Sequence, residues 1–289
     1  MARRRSPAAQ CPAGDRRRSA RLAQPVPWRG TAGGRRAPAE TGRAAVTTAL
    51  HMLQLALDGD RLARFGAGLG LDRRADSDGG YLCHALLTAL FGAAAPKPFV
   101  LQVRAGGGPS LLAYAPADLP ALAEIAALHA TPDVYRIVDW PMSAAKPMPV
   151  FRPGQRLAFT VRVRPVVRIG RQHPCFKPGA EVDIFLARAE ADRDGPKPDR
   201  EDVYRQWLAA GLTQSGAALE QAALTGQRRT ALLRRNAEGK RVAQRQQIDA
   251  DLAGTLTVTE PEGFRRLVAR GIGRHRAFGF GMLLLRPAA

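Results

Sequence analysis

Two successive runs of elements in the order β-α-β-β-α-β, joined by a proline-rich stretch, predict an α+β chain of two tandem ferredoxin-like (RRM-like) domains. The first run opens with a strand over His51 to Leu57, followed by a helix over Tyr81 to Phe91. Phe99 to Arg104 and Leu111 to Tyr114 read as two strands, because the glycine-rich turn Gly106-Gly107-Gly108-Pro109 separates them. Asp118 to Ala130 carries Leu119, Leu122, Ile125 and Leu128 at helical spacing, and Tyr135 to Asp139 completes the run as a strand.

The second run repeats the order loosely. Arg156 to Ile169 is a long strand interrupted at Pro165, which cannot donate to a ladder. Val203 to Ala210 is a helix with Asp199 as N-cap, Val203 and Trp207 one turn apart, and Gly211 as its stop. Strands follow near Ala217 to Gly226 and Gly254 to Val258. Thr259-Glu260-Pro261-Glu262 then has capping-box spacing ahead of a helix bearing Phe264, Leu267 and Val268, which ends at Gly271. Met282 to Arg286 is the last strand. With Trp140 to Pro153 as linker, the expected domains are residues 52–150 and 151–289, the second carrying a glycine-rich loop.

The 45% hydrophobic content of these 289 residues is ordinary for a globular chain, but the charge is not. Forty-four Lys and Arg against 25 Asp and Glu leave a formal +19, which attracts a polyanion and makes nucleic acid the default partner. Residues 1–51 hold 11 Arg, with only Asp15 and Glu40 as acids, and show no apolar period, so this basic extension is expected to be disordered. It reads either as an RNA-binding arm or as translated upstream sequence ahead of a natural start at Met52, with organellar transit a weaker option. Without it the chain still carries +10. Cys11, Cys83 and Cys175 have neither metal-ligand spacing nor a disulfide framework, and a reducing cytoplasm fits them. No apolar run approaches the roughly 18 residues that would span a bilayer, so no membrane partner is expected.

On the helix that begins near Tyr81, a 100° step per residue puts Leu82, Leu86, Ala89 and Leu90 on one face and Tyr81, His84 and Thr88 on the other. Histidine suits either proton transfer of RNA cleavage, since its ordinary pKa of about 6.5 lies near working pH. Tyr81, three residues earlier, can reach the same reacting group, orienting a 2′-OH or assisting the proton transfer. No cluster of His, Cys, Asp and Glu suggests a metal site, so no metal or other cofactor is expected. A metal-free route would give 2′,3′-cyclic phosphate and 5′-hydroxyl ends.

Three further features point to phosphate. In the loop Gly271 to Gly281, glycines such as Gly271, Gly273 and Gly279 would let the backbone approach a phosphate, and Arg274, His275 and Arg276 add cationic contacts. No G-K-[ST] completes a Walker loop. In Val161 to Arg168, strand alternation directs Arg162, Arg164 and Arg168 to one face, a track for phosphates. Arg228, Arg229, Arg234, Arg235, Lys240, Arg241 and Arg245 surround a single acid, Glu238, in a stretch whose Asn236 and Gly239 suggest a hairpin tip. RNA held in this way would bind through phosphates and shape, with strongly salt-dependent affinity.

Taken together, His51-Met52-Leu53-Gln54-Leu55, Gly80-Tyr81-Leu82-Cys83-His84-Ala85-Leu86, Arg162 to Val167, Val203 to Leu208, and Gly271-Ile272-Gly273-Arg274 followed by Ala277 to Gly281 resemble the CasE-type CRISPR repeat endoribonucleases of type I-E systems. The resemblance runs from about His51 to Arg286. It implies binding of the repeat stem-loop, cleavage of precursor crRNA at the 3′ base of the hairpin, and retention on mature crRNA beside the other Cascade subunits. It also implies that Tyr81 and His84 occupy the family's catalytic positions, with no small-molecule substrate. Where relatives often have Gly-Lys, this chain has His275-Arg276, which makes His275 a second candidate proton carrier; the first 50 residues have no counterpart. The rival reading is a ferredoxin-like RNA-binding subunit that cuts nothing. A DNA-binding regulator lacks a helix-turn-helix.

Overall fold

The computed structural model describes residues 49–71, 79–103, 107–171, 173, 175–193, 195–235, 241–243 and 246–288. Its first half runs β1 (His51–Leu57), α1 (Gly59–Gly68), α2 (Gly80–Phe91), β2 (Phe99–Val103), β3 (Pro109–Ala115), α3 (Leu119–His129), α4 (Pro132–Tyr135) and β4 (Val138–Pro147). The strands form one antiparallel sheet in the order β2-β3-β1-β4, the arrangement of a ferredoxin-like domain. Leu53, Leu55 and Leu57 alternate into the core beneath α2 and α3, as a half-buried strand requires.

The second half runs β5 (Arg156–Val163), β6 (Val166–Arg168), β7 (Glu181–Asp183), α5 (Ile184–Ala191), α6 (Arg200–Thr213), β8 (Ala217–Thr230), β9 (Leu233–Arg235), β10 (Arg241–Ala243), β11 (Gln247–Val258), α7 (Pro261–Arg270) and β12 (Leu284–Pro287). Its main sheet, in the order β12-β5-β11-β8, repeats the ferredoxin-like arrangement. Two small hairpins, β6–β7 and β9–β10, are added to it. The expected fold class of two tandem ferredoxin-like domains therefore holds.

Strand β3 joins the two halves. Leu111, Ala113 and Ala115 face the first core, while the alternate residues Leu112 and Tyr114 enter the core of the second half. The Tyr114 hydroxyl donates to the Leu283 carbonyl at 2.8 Å. No described helix is long and apolar enough to cross a membrane.

Several boundaries differ from expectation for identifiable reasons. The last strand of the first half is Val138–Pro147, not Tyr135 to Asp139, so it occupies much of the expected linker. It is an edge strand, where proline leaves no central ladder unpaired. Pro165 does more than interrupt its strand, because Val166–Arg168 leaves the main sheet to pair with β7. Helix α6 continues past Gly211, whose missing side chain makes room for Ile272; a Cβ there would lie 3.1 Å from Ile272 Cδ1. Glu260 rather than Thr259 caps α7, accepting from the backbone N–H groups of Glu262 and Gly263. Leu128, expected on an apolar stripe, is 91% exposed.

Strands β8 and β11 are also longer than expected and reach the β9–β10 hairpin. Arg235 lies opposite Arg241 in that hairpin, while its expected tip, including Asn236, Glu238, Gly239 and Lys240, lies outside the described residues, as does Arg245. Helix α1, strand β7 and helix α5 had not been expected. Asp58 caps α1, its side chain accepting from the Arg61 N–H at 2.9 Å, and this was its only strong sequence mark.

Candidate active site

Helix α2 begins after Gly79, which adopts φ 72°, and directs Tyr81 and His84 toward the second half of the molecule. The expected polar face is only partly so. Tyr81 is 7% exposed and joins the buried residues, His84 is half-buried, and Thr88 alone is open to solvent. The helical period places these residues on one side, but a covering element from elsewhere in the chain decides their exposure. That element is the 3₁₀ turn Arg276–Phe278, part of the glycine-rich loop. Phe278 lies against the His84 ring with centroids 4.9 Å apart, and Tyr81 meets the same imidazole edge-on at 6.4 Å.

Burial of the imidazole, with a smaller effect from the Lys97 ammonium, holds the His84 pKa below its ordinary value of 6.5. The neutral ring, able to accept a proton, therefore predominates near pH 7. Lys97 was not singled out by sequence, because a lone lysine between two prolines has no pattern. It lines a cleft of about 440 Å³ with Arg270, Gly273, Arg274, Arg276 and Phe278. Arg276 is half-buried and donates to the Arg270 carbonyl at 3.1 Å. Its burial, and repulsion from Arg270 and Arg274, lower its pKa, the mark of cations gathered without enough anions.

The glycines of the loop have a packing role that the sequence had not shown. A Cβ on Gly271 would lie 3.0 Å from Pro98, one on Gly273 would lie 2.9 Å from Trp207, and one on Gly279 would lie 3.6 Å from Phe99. Their missing side chains let the loop pack closely on the protein itself, and Gly273 also lines the cleft.

His275 is corrected. Its ring is buried, with Nε2 2.5 Å from Glu181 Oε1, so as placed it is neither an exposed RNA contact nor a proton carrier open to the cleft. Arg274 Nε donates to the other oxygen of Glu181 at 2.5 Å. Burial would raise the Glu181 pKa, but the hydrogen bond from His275 and the nearby charges outweigh it and hold the carboxyl at about 2. Glu181, another residue not singled out by sequence, thus ties the loop to β7. Its folded pKa lies below its ordinary 4.5, so the stability it adds is present above that value and is lost as pH falls toward 2. Glu181→Gln should cost about 2 kcal/mol at neutral pH. In thermal melts, the gap from the unaltered protein should narrow in acid.

The expected phosphate track on β5 and β6 is also corrected. Arg162 and Arg164 do share a face, but Arg164 is fully buried and only Arg162, 14% exposed, reaches a cleft. Arg162 Nη2 and Arg164 Nε each donate to Asp249 at 2.7 Å, and the Thr230 hydroxyl completes the group. Arg168, on β6, is exposed and donates to the Gly179 carbonyl at 3.3 Å. Arg228 and Arg229 are exposed near the end of β8, with Arg228 Nη2 2.9 Å from Asp251. Arg234, Arg235 and Arg241 lie on the β9–β10 hairpin. A second cleft of about 580 Å³ runs between the two halves, with Gly80, Leu101, Arg162, Arg228, Asp251 and Phe278 among its walls.

The fold and this site define a tandem ferredoxin-like protein with a histidine and a tyrosine set in a cation-rich seam between its halves. The pattern of the family described as CRISPR associated protein spans residues 50–287, and the chain belongs to that family. No curated protein is significantly similar in sequence. Among solved structures, the CRISPR endoribonuclease Cse3 bound to 19 nt RNA is 19% identical, with a TM-score of 0.54 over 83% of this chain and 100% of that one. Thermus thermophilus Cse3 bound to an RNA representing a pre-cleavage complex is 18% identical, with the same TM-score and coverage. At these identities the likeness is one of fold.

Proposed function

We propose that this chain is a CasE-type endoribonuclease that binds the CRISPR repeat stem-loop and cleaves precursor crRNA at the 3′ base of the hairpin. The observation that carries the reading is the placement of His84, half-buried against Phe278 and beside the cationic cleft. A neutral imidazole there can take the proton of a 2′-OH as its oxygen attacks the adjacent phosphorus. The 2′-O–P bond forms, the P–O5′ bond breaks, and the leaving oxygen takes a proton from water. Tyr81 orients the ring and the 2′-OH from the adjoining helical turn. Arg168, Arg228, Arg229 and the β9–β10 hairpin contribute cations that hold the backbone, and Arg274 and Arg276 do so at the loop. The similarity of fold to RNA-bound Cse3 supports this reading, as does the family. The protein then stays on mature crRNA within the surveillance complex.

These proton transfers need one side chain and water, so the reaction is metal-independent in this reading. Incubation with a repeat RNA should give one cut near the stem base, 2′,3′-cyclic phosphate and 5′-hydroxyl ends, and full activity in chelator. A 5′-phosphate product, or activity abolished by chelation, would contradict the mechanism.

A further inference from the structure

The two clefts share one wall, Phe278, but differ in chemistry. Among the described residues no carboxylate lines the cleft at the glycine-rich loop, as suits a site for phosphate. The cleft of about 580 Å³ between the halves is different. Its walls include the apolar side chains of Leu101, Val103, Phe278 and Leu284, and one carboxylate, that of Asp251, stands among them. A carboxylate repels phosphate, so binding of the RNA backbone does not account for it. The volume lies in the range of about 300–1,000 Å³ that suits a small organic group.

The strands around Asp251 set that carboxylate in place. Asp251 pairs with Gly226 and Leu252 with Leu224, so Thr225 is left over as a bulge in β8, a device that re-aims side chains. The Thr225 hydroxyl donates to the Asp251 carbonyl at 3.0 Å. A Cβ on Gly226 would lie 3.2 Å from Asp251 Oδ2, so the glycine leaves the carboxylate room. Arg228 Nη2 donates to both carboxylate oxygens, at 2.9 and 3.3 Å. A carboxylate has about four lone-pair sites, so Asp251 can accept further donors beside Arg228. Its side chain, 36% exposed, is open to them.

An unpaired nucleobase matches both parts of this cleft, since its flat rings pack on apolar walls and its edge carries hydrogen-bond donors. Guanine presents two adjacent donors, N1–H and the 2-amino group, whereas adenine, cytosine and uracil each offer a carboxylate one donor group. We propose that the cleft takes one unpaired guanine of the RNA strand next to the stem, with Asp251 accepting from N1–H and the 2-amino group while Arg228 holds the carboxylate in place. The inference deepens the nuclease reading above and rests on its RNA-binding half. Because Phe278 also covers His84, a guanine held here fixes the strand beside the imidazole.

The test is gel-shift titration and single-turnover cleavage by the full chain, using repeat RNAs in which each unpaired nucleotide flanking the stem is in turn guanine, inosine, adenine, cytosine or uracil. At one position guanine should bind about tenfold more tightly than adenine, cytosine or uracil, the worth of one bidentate base contact. Inosine, which lacks only the 2-amino group, should fall between them. Asp251→Asn should bring the ratio of guanine to adenine affinity within about twofold of unity, because the amide turns one acceptor into a donor. The ion pair with Arg228 is exposed, so the melting temperature should hold. The ratio decides the matter, since loss of a negative charge alone would strengthen binding of all five RNAs alike. Val103→Trp, at a position 73% exposed, should crowd the cleft and lower the ratio without touching the ion pair. A guanine preference below about threefold at every position in the unaltered chain, or one that survives both substitutions, would overturn the proposal and leave the nuclease reading standing. Guanine-selective binding without any cutting would instead remove the nuclease and keep the guanine site, and a chain that binds no repeat RNA would lose both.

Discussion

His84→Ala should abolish measurable cutting of a repeat RNA while leaving its binding intact. General acid–base catalysis by one positioned side chain is worth about 10²–10⁴-fold, and the histidine among the residues lining the cleft, His275, has a ring closed off from solvent. His275, the nearest alternative by sequence, is buried against Glu181. In the proposed reading binding is spread over many arginines, so loss of one half-buried ring should change affinity little. The acid limb of the unaltered protein's rate profile should have its midpoint below 6.5, because burial and Lys97 both favour the neutral ring. Gel-shift titration and single-turnover cleavage on the same preparations separate the two effects. Equal cutting by both proteins would remove His84 from the reaction.

The order of elements was legible because each ferredoxin-like half alternates clear periods, as with Leu53, Leu55 and Leu57 on β1 and Phe264, Leu267 and Val268 on α7. His84 was legible as a histidine off the apolar face of its helix. Its neighbours were not, since Phe278 and Lys97 come from segments distant in sequence or without pattern. The same limit explains the arginines of β5. Strand alternation correctly placed Arg162 and Arg164 on one face, but periodicity does not say whether a face meets water or an acid on a neighbouring strand. The partner, Asp249, stands on β11 far away in sequence, in a strand expected to begin only at Gly254. Glycines gave a similar ambiguity. At Gly271 and Gly273 an absent side chain can serve a phosphate or a protein neighbour, and the approach of Pro98 and Trp207 was not legible in the sequence.

Asp249→Asn should be the most destabilising single change near the site. Asp249 is 1% exposed and faces two guanidinium groups, one of them fully buried. Neutralising it leaves Arg164 charged in a low dielectric without its counter-ion, a situation that costs about 3–5 kcal/mol. At about 2–4 °C per kcal/mol for a chain of this size class, the melting temperature should fall by on the order of 10 °C. The effect should reach the reaction as well. Phe280 lies over both arginines, with its centroid 4.6 Å from the Arg162 guanidinium carbon and 5.1 Å from that of Arg164, and it stands two residues beyond the Phe278 that covers His84. Loosening the pair therefore frees the glycine-rich loop from β5, and cutting should slow even below the melting transition. Replacing the buried cation too, in Asp249→Asn with Arg164→Met, should restore part of the lost stability, because a buried charge left alone costs more than an apolar side chain of similar length. A single variant that melts with the unaltered protein, or a double variant no better than the single, would show that these arginines are not held in place by Asp249.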